Sequence, residues 1–182
     1  MEKNVVMIAL FAALIAVLGL VPKISLGFGV PITAQSLGVM LCGTVLGARR
    51  GASAVLLFLL LVAVGLPLLA GGRGGLGAFV SPTAGFLFGF PVAAFVAGMI
   101  VEKWRSPPLG FVASVAAFIG GVVVLYAAGT VGMAIVLKKS LGDAALLVTA
   151  FIPGDMVKAV VAGLLTAALA KARPSNVLSR AG

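Results

Sequence analysis

The 182-residue chain has no histidine, one cysteine and only four acidic residues. Each shortage removes a class of function. Without histidine, Ser36 and Ser81 have no imidazole to activate them, and no Ser–Lys arrangement is evident in the sequence, which argues against membrane hydrolase chemistry. Carboxylates, cysteine and histidine together form no cluster able to hold a metal. Cys42, alone in an apolar run, can make no internal disulfide and reads as a small buried hydrophobe. No stretch reads G-x-x-x-x-G-K-[ST], so a P-loop ATPase is excluded as well. The largest shortage is of charge. Charged residues make up 9 % of the chain and hydrophobic ones 62 %, whereas a soluble domain carries about 25 % charged residues. With a mean hydropathy of +1.29, the chain reads as an integral membrane protein. Its N-terminal apolar run lacks a small-residue cleavage site, so it is read as a span and not a cleaved signal.

The net charge of +9 raises the question of nucleic acid. Placement answers it. The basic residues stand singly or in pairs between apolar runs, without a stripe interleaved with aromatics, and read as topology signals.

A spanning helix needs about 20 mainly apolar residues. Six stretches qualify, at about 5–21, 34–48, 52–70, 83–101, 109–137 and 153–172. The second is short and is expected to stop at Arg49-Arg50-Gly51. A Gly- and Pro-containing link, Pro22 to Thr33, follows the first span, and a glycine-rich link, Gly71 to Pro82, follows the third. The expected architecture is an all-α, compact six-helix transmembrane bundle forming one domain.

With both termini in the cytoplasm, Lys3, Arg49, Arg50, Lys103, Arg105, Lys171, Arg173 and Arg180 face inward, eight residues against four (Lys23, Arg73, Lys138, Lys139) outside. The thirteenth, Lys158, lies within the membrane. The start of the last helix then faces outward, as do both long links, and a ligand site would open on that side.

Within that start, Asp155 and Lys158 are spaced i, i+3 and share a helix face. Pro153 suits a first turn, where the missing N–H costs nothing. An acid just after it meets the positive end of the helix dipole. Charges at bilayer depth cost roughly 2.5–3.5 kcal/mol each on insertion scales and mark functional sites by default. Two readings stand: a self-neutralising ion pair that orients the last helix, or a polar claw for a ligand.

Gly72-Arg73-Gly74-Gly75-Leu76-Gly77 matches G-x-G-x-x-G, but no strand precedes it, so a dinucleotide fold is rejected. The segment is a flexible loop or a backbone-lined wall over a ligand. Arg73 within it meets an anionic group or, the favoured reading, faces water. Ser81 is read as the cap of the fourth helix. Gln35 and Ser36 open the second span and Thr83 the fourth, as solvated termini or as hydrogen-bonding partners of a polar ligand. Tyr126 stacks on a ligand or anchors at the interface. Gly43–Gly47 and Gly85–Gly89 are spaced for close helix packing. Ala9–Ala13 and Ala12–Ala16 form a smooth face on the first helix, for internal packing or for docking another protein.

Arg50-Gly51-Ala52, Gly65-Leu66-Pro67, Ser81-Pro82-Thr83-Ala84-Gly85-Phe86-Leu87-Phe88-Gly89-Phe90 and Phe151-Ile152-Pro153-Gly154-Asp155-Met156-Val157-Lys158 follow one another in order. In this combination the chain resembles the BioY family, the biotin-specific S components of energy-coupling factor (ECF) transporters, from about Ala9 to Ala170. The resemblance implies a six-helix protein of the prokaryotic cell membrane that binds biotin at its outer side, with Asp155 and Lys158 as contacts. It also implies a transmembrane coupling subunit, docked around Ala9 and Ala13, and two cytoplasmic ATPase subunits that alone use ATP. The chain itself would be no enzyme and would need no cofactor. An S component for another vitamin, and a small channel or scaffold whose Asp–Lys pair only locks a helix, are the rival readings.

Overall fold

The computed structural model describes residues 2–23 and 32–180, so most of the link expected from Pro22 to Thr33 lies outside the described residues. Helices α1 (Glu2–Leu18), α2 (Gln35–Leu46), α3 (Ala48–Ala63) and α4 (Ala84–Lys103) are followed by the long α5 (Leu109–Leu137). A short helix, α6 (Leu141–Val148), leads through a 3₁₀ turn, Thr149–Phe151, into α7 (Ile152–Ala172). Among the described residues there is no strand, only an isolated bridge between Leu69 and Arg73. By length and composition α4, α5 and the α6–α7 unit are each able to cross a membrane. The other three helices, of 17, 12 and 16 residues, are shorter. Among the described residues the fold is the expected all-α bundle of six main helices, with the short α6 as an addition.

Helix α4 is central and touches α2, α3 and both halves of α5. On one flank α1 packs on α2 and α3, and on the other α7 packs on α2 and the first half of α5. The glycines permit these approaches, since a Cβ on Gly43 would lie 2.5 Å from the Ala94 carbonyl of α4 and one on Gly85 2.8 Å from Cα of Gly132. Midway along the bundle Thr166 donates to the carbonyl of Ala162 (2.7 Å), so the buried Thr44 hydroxyl donates to Thr166 (2.8 Å) and pins α2 to α7.

Three expectations about boundaries are corrected. The second helix does not stop at Arg49-Arg50-Gly51, because both arginines lie in the first turn of α3 and the break is Gly47 alone, at φ +86°. That left-handed backbone suits glycine. Glu102 of α4 then accepts from the Ala48 amide (2.9 Å), satisfying a free donor at the start of α3. The third helix ends at Ala63 and not near Ala70, since Gly65 turns the chain at φ +107° and Pro67 cannot continue the helix. Ser81 does not cap α4; its hydroxyl donates to the Ala78 carbonyl (2.7 Å) and Thr83 holds the cap position without a side-chain bond to the helix backbone.

The C-terminal stretch is tied into the end of the bundle where α2 meets α3. Val177 and Leu178 are buried. Ser179 satisfies two carbonyls at the end of α2, donating from its amide to Val45 (2.9 Å) and from its hydroxyl to Thr44 (2.6 Å).

Gly98 of α4 faces the α2–α3 corner, where an added Cβ would lie 2.6 Å from Cα of Ala48. Overpacking of this kind costs about 1–3 kcal/mol. Gly98→Ala is expected to lower the thermal midpoint in detergent by several degrees. Gly77→Ala, whose Cβ meets nothing within 4 Å, is the control that leaves it unchanged. Equal midpoints would show that the corner relaxes.

Candidate ligand-binding site

Helix α7 places Asp155 in its first turn, next to unpaired backbone N–H groups and the positive end of the dipole. One turn on, Lys158 folds back onto it, with Nζ 2.8 Å from Oδ1. The pair is shielded, with side chains 8 % and 17 % exposed for Asp155 and Lys158. Helix α2 meets it from across the bundle. The Ser36 hydroxyl donates to Oδ1 (3.0 Å), while Lys158 donates to Ser36 Oγ (3.0 Å) and to the Thr33 carbonyl (2.6 Å). From α5, Tyr126 donates to Oδ2 at 2.7 Å.

Counting donors and acceptors decides what remains free. An ammonium has three donors, and those of Lys158 go to Asp155, Ser36 and Thr33. A carboxylate has about four lone-pair sites, and Asp155 has used three. The pair is therefore self-neutralising, and Asp155 keeps one acceptor site to spare beside the pocket.

A cavity with about 580 Å³ of empty space, the open solvent at its mouth included, opens beside this network. Asp155, Lys158, Thr33, Gln35, Ser36, Thr83 and Arg73 are its polar lining, and Phe86, Leu87, Phe90, Leu125 and Phe151 supply apolar wall. Five of the six ligand-binding candidates thus come together on one cavity. Tyr126 does not line it. It stands behind the carboxylate, edge-on to Phe151 with ring centroids 6.4 Å apart. A single π-helical turn, Ile119–Val124, precedes it within α5. An inserted residue rotates everything after it by about 100°, and this register directs Tyr126 at Asp155.

Arg73 is not turned to water. Its side chain is half-buried on the cavity wall, Nη1 lies 3.5 Å from Thr83 Oγ1, and Nε is buried without a hydrogen-bond partner. The loop that carries it is shaped by the Leu69–Arg73 bridge and by Gly71 and Gly72 at φ +82° and +70°. Asp155, Lys158 and Arg73 sum to one positive charge in an apolar cavity. That balance favours a ligand carrying one negative charge and N–H donors.

The alanine stripe divides. Ala12 is buried, Ala16 half-buried, and Ala9 and Ala13 are exposed beside Val6, Leu10 and Val17. The sequence points to Phe- and Leu-rich helices as an apolar wall, but not to the Thr33 carbonyl or to which aromatic side chains form that wall. The only signal for the latter was that Phe86, Phe90 and Phe151 fall within the recognised motifs. Among the described residues no three His, Cys, Asp or Glu side chains converge as a metal site would need.

Comparison with known proteins gives the family. A family model described as the BioY family matches residues 2–175. The chain is 57 % identical to the biotin transporter BioY of Rhodobacter capsulatus, over 99 % of this chain and 100 % of that one. It is 40 % identical to the probable biotin transporter BioY of Bacillus subtilis, over 91 % and 89 %. Among solved structures it is similar to the S-component for biotin from an ECF-type ABC transporter, with a TM-score of 0.88 at 30 % identity, covering 93 % of this chain and 92 % of that one.

Proposed function

Because the chain belongs to the BioY family, we propose that it is a membrane biotin-binding S component that takes up biotin with energy supplied by partner ATPases. The observation that carries the reading is the convergence of Asp155, Lys158 and Arg73 on one cavity. Biotin is a ureido ring with two N–H donors and one carbonyl, an apolar bicyclic body, and a carboxylate tail. Asp155 accepts a ureido N–H with charge assistance, roughly twice the strength of a neutral bond. Lys158 and Ser36 exchange one of their present bonds for the ureido carbonyl. The bicyclic body lies against Phe86, Phe90, Leu125 and Phe151. Arg73, with donors to spare, takes the carboxylate and settles the extra positive charge.

Lysine and arginine placement supports a multi-pass chain in the prokaryotic cell membrane with both termini in the cytoplasm and the cavity facing out. Uphill uptake needs an external source of energy, because the chain carries no P-loop. That source is a pair of cytoplasmic ATPases acting through a transmembrane coupling subunit docked on the exposed Ala9–Ala13 face of α1.

Calorimetry on the purified chain with biotin and with biotin carboxamide tests the ligand. Biotin is expected to bind, and the carboxamide to bind at least about tenfold more weakly through loss of its charge-assisted bonds. No biotin binding by a folded chain overturns the reading and turns attention to other vitamins.

A further inference from the structure

Gln35 lines the cavity, yet its amide is spent elsewhere. Its side chain is buried, at 3 % exposure. Nε2 donates to the carbonyls of Ile15 in α1 (3.1 Å) and Leu68 in the loop after α3 (3.0 Å), and Oε1 accepts from the Ala70 amide (3.0 Å). Both N–H donors are used, which leaves nothing to offer a ligand carbonyl or carboxylate. All three partners are backbone groups on segments that no regular ladder joins. Gly19 keeps the passage open, since a Cβ there would lie 2.5 Å from the Leu68 carbonyl and 2.9 Å from Gln35 Nε2.

What the amide holds is the base of the turn that carries Arg73. Leu68 and Ala70 flank Leu69, whose amide donates to the Arg73 carbonyl (2.9 Å) and whose carbonyl accepts from the Arg73 amide (3.2 Å). Gly71 and Gly72, at positive φ between them, would leave the turn free to swing without an anchor.

We propose that Gln35 is a positioning residue for ligand recognition: it clamps the 68–73 turn to the end of α1 and thereby sets Arg73 to receive the ligand's anionic group. The inference rests on the biotin reading above. It makes recognition of the carboxylate depend on how α1, α2 and this turn sit together.

The test uses the full chain, with biotin and biotin carboxamide titrated into the parent, Gln35→Met, Arg73→Met and the double variant. Gln35→Met is expected to weaken biotin about tenfold and the carboxamide hardly at all, as Arg73→Met does. The double variant should be no weaker than Arg73→Met alone, because both changes remove one interaction. Gly19→Ala, which crowds the clamp without altering Gln35, should reproduce the selective loss and serves if Gln35→Met does not fold. An unchanged biotin-to-carboxamide ratio, whatever happens to the melting point, overturns the clamp. Equal losses for both ligands that add to those of Arg73→Met would instead make Gln35 a direct contact. A parent that binds no biotin sinks the reading beneath it, and an unaltered ratio in a binding-competent variant sinks the inference alone.

Discussion

Asp155→Asn is expected to raise the Kd of the purified chain for biotin by on the order of 100-fold, while the chain still folds and elutes as the parent does. Asparagine keeps the shape and one acceptor oxygen, so packing in the first turn of α7 is preserved. It loses the charge that strengthens every bond the carboxylate makes. A hydrogen bond to a charged group contributes about 1.5–3 kcal/mol, and every 1.4 kcal/mol is a factor of ten. The variant also leaves the Lys158 ammonium, 17 % exposed, without its counter-ion. Breaking a shielded pair from one side costs about 3–5 kcal/mol, and some of that falls on stability. A double variant, Asp155→Asn/Lys158→Met, separates the two contributions. If the pair only neutralises itself and orients α7, removing both charges restores binding. If the pair itself holds the ureido ring, Asp155 at an N–H and Lys158 at the carbonyl, the double variant folds well and still fails to bind. Full binding by Asp155→Asn alone would show that the carboxylate makes no contact with biotin that matters.

Much of this site could be read from residues, because charge is conspicuous in an apolar chain. Asp155 and Lys158 are i, i+3 in sequence and 2.8 Å apart in the fold, as one helix face requires. What surrounds them is less legible. Phe90 is 7 % exposed and Phe88 63 %, yet both are phenylalanines in one apolar helix. The outside of a membrane bundle is as hydrophobic as its inside, so amphipathicity does not separate wall from surface. The turn at Gly65 was hidden in the same way, since Leu66, Leu68 and Leu69 continue the apolar run after the helix has ended. Arg49-Arg50 looked like a stop because charges bound spans, although the bend needed only one glycine with positive φ. Arg73 was read as facing water because nothing in a glycine-rich stretch announces a fixed turn. Its anchors, the amide of Gln35 and the Leu69 bridge, are long-range and have no local signature. The π turn of α5, which aims Tyr126, had only Gly120-Gly121 to mark it.

Ala13→Trp should leave biotin affinity within about twofold of the parent and reduce uptake at least about tenfold in vesicles reconstituted with the coupling subunit and ATPases. The reasoning starts from exposure. Ala13 lies on the outer face of α1 with Ala9, Val6 (63 % exposed), Leu10 (57 %) and Val17 (59 %). A Trp side chain there projects away from the bundle and displaces no core residue. Small residues let two helices approach closely, and their association depends on that contact because lipid is as apolar as the helices themselves. An indole between them holds the axes apart and forfeits the packing along several turns. Ala12→Trp is the internal contrast. Ala12 is 3 % exposed and belongs to the core with Phe11 and Ile15, where an inserted ring costs several kcal/mol, so folding and binding should fall together. The four measurements discriminate between the roles of the stripe. Binding kept and uptake lost at position 13, with both lost at position 12, assigns the outer alanines to the partner. Uptake unchanged by Ala13→Trp would place the docking face on another helix. Loss of binding at both positions would return the whole stripe to internal packing.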